Sequence, residues 1–425
     1  MDRLTITSAD VDSAVRGLRP TPEDRDQVRG AVADVVGMVR EGGDEAVRRL
    51  TRRLDGVDID DARVPQSELE SALGLVAPTV REAIQLLAAN LRQTSAASMP
   101  AATREVLPHG QIVATRQVPV GRVGLYVPGG RAAYPSSAIM GVVPAQVAGV
   151  DGIAVCSPPG PDGLPDRTVL AALHLLGIEE VYAIGGAQAI AAMALGTESI
   201  RAVDLIVGPG NAYVEEAKRL LFGEVGIESL AGPSELIVLA DGAAHAEIIA
   251  WDLRAQAEHG SGSRSILLST DREVIDAIEA ALEDAGSVSV VEADDLDTAV
   301  AFINAYAPEH LQLAVGRPEL LLERVTNAGA IFVGPMSGTA YGDYIAGSNH
   351  ILPTAGNARF ASGLTPSIFL RTQEIIEIPA DAAAALAAPL AALARAEGLI
   401  AHARSAEVRA EQAPTDAPLQ EGAAT

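Results

Sequence analysis

The chain has 425 residues, a formal net charge of -25 at pH 7 and 48% hydrophobic residues. This length is sufficient for more than one domain with its own core, and this composition is not that of a disordered chain. The excess of acidic residues opposes nucleic-acid binding. The sequence has no long uninterrupted apolar run, which opposes a membrane span. Its start does not resemble a signal peptide, so we expect a cytoplasmic protein.

The N-terminal part of the chain predicts helices. Thr21-Pro22-Glu23-Asp24 offers a capping hydroxyl, a first-turn proline and acids at the positive end of the helix dipole. We expect this helix to stop at Gly42-Gly43. A second helix is predicted from Pro78 to Gln93, because apolar residues recur there at spacings of three and four.

Short apolar runs then alternate with helical segments, which is typical of doubly wound α/β sheets. The predicted strands are 112–115, 123–127, 153–156, 181–184, 205–207, 236–239, 265–268, 288–291 and 330–333. The predicted helices between them include 138–148, 245–258 and 273–283. We expect two such blocks joined near residue 230, then an alanine-rich helix at 380–396 that Pro389 interrupts, and a disordered tail at 411–425.

A single cysteine excludes an intramolecular disulfide bond. Cys156 ends an apolar run, so we interpret it as a buried and inert thiol. A thiol that oxidises aldehydes would instead have to be exposed and activated.

Three glycine turns follow predicted strands, at Tyr126–Gly130, Gly185–Gly186 and Gly208–Gly210. Glycine lets the backbone approach a ligand, and the helix that follows favours an anion such as a pyrophosphate. Each turn alone is equally well explained as a tight strand-to-helix connection, and no strict GxGxxG is present. Because all three lie where α/β sheets bind ligands, together they favour a dinucleotide.

Four histidines have a carboxylate or amide nearby in the sequence. Gln256 and His259 share one helical face, although taken alone they are better explained as a surface-facing pair. Glu309 and His310 follow a helix-breaking proline, and in a turn both can face one cleft. The remaining pairs are Asp343 with His350, in a glycine-bounded loop, and Glu397 with His402, which Gly398 could bring together by ending a helix.

In combination these segments resemble the histidinol dehydrogenase family over residues 20–405. The resemblance rests on strings that occur in the family's order: 123–130 (VGLYVPGG), 143–146 (VPAQ), 185–190 (GGAQAI), 208–211 (GPGN), 231–235 (AGPSE), 256–259 (QAEH), 307–310 (APEH), 342–344 (GDY) and 397–399 (EGL) ahead of His402.

The resemblance implies oxidation of L-histidinol through the aldehyde to L-histidine, with two NAD, one water and a bound Zn²⁺. It assigns proton transfer to Glu309 and His310, and NAD contacts to Tyr126, Gln188 and Asn211. The implied zinc ligands are Gln256, His259, Asp343 and His402. The implied substrate contacts are Ser234, Gln256, His259, His310, Asp343, His350, Glu397 and His402.

The resemblance also implies a homodimer in which the C-terminal helical segment crosses to the partner's site. We expect an N-terminal helical arm at 1–25 and two Rossmann-like α/β domains. The first, at 26–125 plus 234–370, would carry the metal and the catalytic residues, and the second, at 126–233, would bind NAD. An exchanged helical segment at 371–410 would follow.

Two other interpretations remain open at this point. A related zinc- and NAD-dependent dehydrogenase could act on another small amino or sulfonate alcohol. A non-catalytic sensor of NAD or metal would instead be expected to lack Glu309 or His310, and both are present.

Overall fold

The structure is a computed structural model that describes residues 2–19, 25–130, 132–260, 262–282 and 288–412. Its strands, in chain order, are β1 Asp2–Ile6, β2 Thr103–Val106, β3 Ile112–Pro119, β4 Arg122–Tyr126, β5 Gly152–Ser157, β6 Glu180–Ala183, β7 Leu205–Val207, β8 Gly226–Ile227, β9 Glu235–Ala240, β10 Arg264–Ser269, β11 Val288–Ala293, β12 His310–Ala314, β13 Ala330–Val333 and β14 Leu370–Glu377.

The helices, in the same order, are α1 Val11–Leu18, α2 Arg25–Leu54, α3 Gln66–Leu75, α4 Pro78–Ala97, α5 Pro135–Ala148, α6 Arg167–Leu175, α7 Gly186–Leu195, α8 Ala212–Leu221, α9 Ala246–Ala257, α10 Arg272–Leu282, α11 Leu296–Tyr306, α12 Glu319–Leu322, α13 Thr339–Tyr344, α14 Ala380–Ala396 and α15 Ile400–Gln412. Short 3₁₀ turns occur at Asn357–Arg359 and Pro366–Phe369.

The chain divides into two compact units. The first unit comprises residues 1–99 and 120–369, and the second comprises residues 100–119 and 370–425. The proposed division into α/β domains at residues 126 and 233 stays a prediction.

A six-stranded parallel sheet in the first unit has the order β1-β11-β10-β9-β12-β13. Its central strands are buried along their whole length, as expected for a parallel sheet that helices cover on both faces. Separate apolar clusters lie on the two faces. One includes residues of α1 and α11, and the other includes residues of α9 and α10.

A five-stranded parallel sheet in the same unit has the order β6-β5-β4-β7-β8. Strands β5 and β6 follow β4 in the chain and lie on one side of it. The next strand, β7, pairs with the other side of β4. This reversal between β4 and β7 is the type of position at which doubly wound sheets bind dinucleotides. Helix α2 packs on α7 and α8, which flank this sheet, and contributes Val32, Val36, Val39 and Leu50 to their shared apolar cluster.

The second unit contains a three-stranded antiparallel sheet, β14-β3-β2, and the helix pair α14 and α15. Buried alanines at positions 391, 394 and 403 form the contact between the two helices.

The predicted α/β class with doubly wound parallel sheets is confirmed, and strands 205–207 and 330–333 have the predicted ends. The burial of Cys156 is also confirmed. The exchange of the C-terminal segment stays a prediction.

Several predictions of individual elements were wrong. Sequence reasoning missed β1, β2, β8, β12 and β14, and β14 occupies the start of the segment predicted as helical at 371–410. Helix α14 continues through Pro389. The predicted disorder is wrong for Glu411 and Gln412, which end α15. The rest of that tail, and the helix start at 21–24, lie outside the described residues.

Within the described part of the chain, no single helix is both long and apolar enough to cross a membrane. Helices α3 and α4 would satisfy the length and composition criteria only as a pair, and they meet at a bend of 114°.

The range of α2 contains two helices that meet at a kink at Gly43, where the sequence predicted a helix end. Gly43 has φ 48° and ψ -133°, which is outside the helical region. The next residue begins a new helical segment, and its amide donates a hydrogen bond of 2.7 Å to Glu198 Oε2. The side chain of Asp44 in turn accepts a hydrogen bond of 2.9 Å from the Ser199 hydroxyl. Gly43 therefore separates two helices, and the predicted helix end at Gly42-Gly43 is confirmed.

We expect Gly43→Ala to lower the free energy of unfolding by about 2 kcal/mol, because an L-residue is strained at this positive φ. The added methyl group would also meet the Glu198 carboxylate. Gly37→Ala is the matched control, since its Cβ would meet nothing within 4 Å inside the same helix. The control should raise stability by about 0.5–1 kcal/mol, as measured by urea denaturation. Equal effects of the two variants would contradict the role given to Gly43.

Candidate active site

Polar side chains gather at the amino ends of two neighbouring strands of the six-stranded sheet. Ser234 directly precedes β9, and Glu309 and His310 lie at the start of β12. The two strands are paired with His310 opposite Leu236, so their amino ends meet at one edge. Doubly wound sheets usually bind ligands at their carboxyl ends, and this cluster occupies the opposite edge.

The Glu309 carboxylate is buried and is held by three donors. Its Oε2 atom accepts hydrogen bonds from the Ser234 hydroxyl at 2.6 Å and from the Glu235 amide at 2.9 Å. The same oxygen lies 3.4 Å from Nδ1 of His310. A buried carboxylate is stable only when its lone pairs have such partners, so Glu309 is fixed in position as an anion.

Electrostatics favour the charged forms of both members of this pair. Burial raises the pKa of Glu309, but the His310 charge and the hydrogen bonds to Glu309 lower it more, so the net shift is downward. Burial lowers the pKa of His310, but Glu309, Asp343 and the Glu235 carbonyl together raise it to about 9. Without a ligand, the two residues therefore form an ion pair near neutral pH.

The Gln256 side chain is oriented by two hydroxyl groups. Its Nε2 atom donates to Ser234 Oγ at 2.8 Å and to Ser263 Oγ at 2.9 Å, and the residue is 2% exposed. Both amide hydrogens are thereby occupied, which leaves the carbonyl oxygen as the atom able to meet a ligand. Gln256 lies in the last turn of α9, whose carboxyl end returns to the amino edge of the sheet.

His259 follows α9, beyond the helical face on which sequence analysis placed it. Its Nδ1 lies 3.2 Å from the carbonyl oxygen of Gln256. A backbone carbonyl that accepts from one ring nitrogen fixes the tautomer and leaves the other nitrogen available as a ligand. The His259 ring is thus held against the backbone of Gln256 at the end of α9.

Asp343 and His350 reach the same cluster from α13 and the loop that follows it. Asp343 Oδ1 lies 3.6 Å from His310 Nε2, a buried atom with no hydrogen-bond partner among the described residues. His350 Nδ1 lies 3.0 Å from the backbone oxygen of Asp343. His350 Nε2 lies 3.2 Å from the hydroxyl of Ser137 on α5, and burial lowers the pKa of His350.

The three glycine turns lie at the carboxyl edge of the five-stranded sheet. The Tyr126 hydroxyl accepts a hydrogen bond of 3.1 Å from the Gly186 amide. The Gln188 amide donates to Asp55 Oδ2 at 3.0 Å. Asn211 caps α8 by accepting from the amides of the second and third residues that follow it. The three residues assigned to NAD thus have local roles in shaping the turns.

Glu397 and His402 belong to the second unit, where both are exposed. Gly398, with φ 79°, separates α14 from α15, so the predicted helix end at this glycine is confirmed. The participation of Glu397 and His402 in the site stays a prediction.

The donors in the cluster suit a borderline divalent ion. Gln256 presents a carbonyl oxygen, His259 a ring nitrogen and Asp343 a carboxylate, and zinc accepts nitrogen and oxygen ligands. Over the described ranges, no three His, Cys, Asp or Glu side chains are grouped so as to hold a metal ion. The four predicted ligands do not meet this criterion. Gln256 is an amide, and His402 belongs to the second unit, so only His259 and Asp343 of the first unit are residues of these types.

Four residues that contact the predicted site residues escaped sequence analysis: Asp55, Ser137, Glu235 and Ser263. Glu235 alone gave a local signal, since an acid that begins an apolar strand is unusual. Its carboxyl is buried, and burial together with the neighbouring Glu309 raises its pKa to about 7. Asp55 and Ser137 contact site residues that are distant in the sequence, so no local pattern indicates them. Ser263 is close to Gln256 in the sequence, but its surroundings do not distinguish it from other serines.

A family model, two related proteins and one crystal structure that are similar to this chain share one description. Residues 18–410 match the family model described as histidinol dehydrogenase. A histidinol dehydrogenase of Parasynechococcus marenigrum (strain WH8102) is 45% identical over 399 residues, which cover 90% of this chain and 91% of that protein. The corresponding protein of Methanothermobacter thermautotrophicus is 43% identical over 399 residues, covering 90% and 93%. The crystal structure of histidinol dehydrogenase from Elizabethkingia anophelis matches with a TM-score of 0.92 at 32% identity, covering 96% of this chain and 98% of that one.

We expect Glu309→Gln to lower the free energy of unfolding by about 3 kcal/mol at pH 7, because it leaves the buried His310 without its anion. The difference from the wild type should shrink as the pH falls through the lowered pKa of Glu309. It should also shrink as the pH rises through about 9, where His310 loses its proton. Glu323→Gln, at an exposed carboxylate, is the control. A difference that does not change with pH would contradict a charged pair.

Proposed function

Because this chain belongs to the histidinol dehydrogenase family, we propose that it oxidises L-histidinol to L-histidine as the last step of histidine biosynthesis. In this proposal two NAD accept the electrons, one water supplies the second carboxylate oxygen and Zn²⁺ is bound. The buried pair of Glu309 and His310 beside Asp343 and Gln256 is the observation that carries the proposal.

Proton transfer fits the positions of His310 and Glu309. The first oxidation removes a hydride from the alcohol carbon and a proton from its hydroxyl, and we assign that proton to His310 Nε2. This buried nitrogen has no hydrogen-bond partner in the described part of the chain, so it can receive the proton. The second oxidation adds water to the aldehyde before another hydride leaves. We assign the water proton to Glu309, which lies 3.4 Å from the imidazole.

A base must be neutral before it accepts a proton, and the two carboxylates oppose this state of His310. They raise its pKa to about 9 when no ligand is bound. When Asp343 binds a divalent cation, less of its negative charge acts on His310, so the pKa should return toward neutrality. Asp343 would therefore have a second role besides metal binding. With a cation bound, it would stabilise the charged form of His310 less, so that His310 could act as a base.

We assign the zinc ligands to Gln256, His259, Asp343 and His402, the last from the partner chain. The orientation of the Gln256 amide and the backbone contact of the His259 ring support this assignment. A bound Zn²⁺ would supply a fixed point for the amino and imidazole nitrogens of histidinol. Ser234, His350 and Glu397 would complete the substrate contacts.

We assign NAD to the carboxyl edge of the five-stranded sheet. The strand order reverses there between β4 and β7, and glycine turns follow β4, β6 and β7. Tyr126, Gln188 and Asn211 would contact the dinucleotide. Ser137 supports placement of the cofactor beside the substrate, because α5 begins after the first glycine turn and this residue contacts His350.

We further propose a cytoplasmic homodimer with exchanged C-terminal segments. Exposed apolar residues beside the two predicted site residues of the second unit support this assembly, namely Leu393, Leu399 and Ile400. A single buried thiol is compatible with a reducing compartment.

The stoichiometry of the reaction tests the proposed function. Purified protein with limiting L-histidinol and excess NAD should produce two NADH per substrate, followed by absorbance at 340 nm. Addition of a chelator should abolish the reaction, and Zn²⁺ should restore it. One NADH per substrate, or preference for another amino or sulfonate alcohol in a panel, would assign the chain to a different reaction.

Metal binding and proton transfer should separate in two variants. His310→Ala should lower kcat by at least about a hundredfold while the zinc content stays near that of the wild type. Asp343→Ala should lose both activity and zinc, as measured by atomic absorption. Loss of zinc from His310→Ala would contradict the division of roles.

A further inference from the structure

A buried ion cluster lies directly against the third glycine turn. Lys218 of α8 is fully buried, and its ammonium group donates to Glu228 at 2.9 Å, with Glu215 at 3.5 Å. The third donor contact of this ammonium, at 2.8 Å, is to the backbone oxygen of Gly208. Sequence reasoning singled out this turn but gave none of the three charged residues a role.

The cluster holds both backbone polar groups of one residue in the turn, Gly208. Lys218 binds the carbonyl oxygen of Gly208, and Glu228 Oε1 accepts a hydrogen bond of 2.7 Å from the amide of the same residue. Gly208 has φ 116° and packs against the Tyr126 backbone, so this turn has little room to adopt another conformation. The position and direction of the turn thus depend on buried charges.

The same cluster also contacts the segment that leads to the catalytic residues. Glu215 Oε2 accepts a hydrogen bond of 2.6 Å from the Ala231 amide. Two residues later in the chain comes Pro233, and then Ser234, whose hydroxyl binds Glu309. One buried network therefore connects the turn after β7 with the entry to β9.

Charge balance indicates that the ammonium ion is retained in this network. Burial lowers the pKa of Lys218, but Glu228 and Glu215 raise it more, so the net shift is upward. An amine that stays charged without solvent forms strong hydrogen bonds, and its removal leaves two buried carboxylates without a counter-ion.

We propose that Lys218 is a positioning residue for the dinucleotide, which fixes the turn at Gly208–Gly210 directly at the Gly208 carbonyl and indirectly through Glu228. This inference depends on the proposed use of NAD, and it gives that site a specific requirement. The turn binds the cofactor tightly only when the buried ammonium holds the Gly208 carbonyl away from the ligand.

The test measures NADH affinity by fluorescence titration and the Michaelis constants of NAD and histidinol. Lys218→Met keeps the length of the side chain and removes its charge. Loss of a charge-assisted hydrogen bond should weaken NADH binding at least about tenfold. The KM for NAD should rise by a similar factor, while kcat at saturating NAD changes by less than about threefold.

Glu180→Gln is the matched control. It removes a carboxylate that pairs with the largely buried Arg122 at the amino edge of the same sheet, opposite to the glycine turns. This variant should lose stability but keep the wild-type affinity for NADH. Equal losses of NADH affinity in Lys218→Met and Glu180→Gln would reduce the role of Lys218 to general stability and overturn the proposal.

If Lys218→Met does not fold, a second pair of variants tests the same proposal. Glu228→Gln retains an oxygen that can accept from the Gly208 amide, whereas Glu228→Ala does not. The glutamine variant should recover most of the NADH affinity that the alanine variant loses, and equal affinities would overturn the proposal. Wild-type protein that binds no NADH would instead contradict the proposed function, so the two failures are distinguishable.

Discussion

The buried contact between Glu309 and His310 governs the organisation of the candidate site. Two charged groups at the amino end of an inner strand have little access to water, so every lone pair and proton needs a partner. The Ser234 hydroxyl and the Glu235 amide bind the carboxylate, and Asp343 faces the far side of the imidazole. The starts of β9 and β12 and the α13 segment must therefore come together before this pair is stable.

Local apolar patterns were sufficient to predict most strands, because a parallel strand that is buried on both faces is a short continuous apolar run. They failed where the decisive contact is distant in sequence. β1 forms because Leu4 pairs with Val291, and no feature of the sequence near Leu4 indicates that partner. β12 was missed because its first residue is His310, and Pro308 just before it suggested a turn. The helix end at Gly43 was predictable from the glycine pair, but the hydrogen bond that Glu198 accepts from Asp44 at the start of the next helix was not.

The resemblance to a known family named the residues of the site, but the contacts that orient them depend on three-dimensional packing. Ser263 holds the Gln256 amide, and Ser137 reaches His350 from a helix that starts more than two hundred residues earlier. Serines in such positions have no pattern of their own. The sequence also could not predict that the cluster lies at the amino edge of its sheet, because the usual rule for these folds indicates the carboxyl edge. Glu397 and His402 belong to a separate unit, so their contribution rests on family likeness.

The strand order of the two parallel sheets has a consequence for the nascent chain. The five-stranded sheet takes all of its strands from one continuous stretch, residues 122–227, so it can assemble while later residues are still being translated. The six-stranded sheet uses β1 at one edge, and β1 pairs only with β11. After synthesis, β1 must therefore wait without this neighbour until residue 293 has left the ribosome. Of the two parallel sheets, the one that carries the candidate site is completed second.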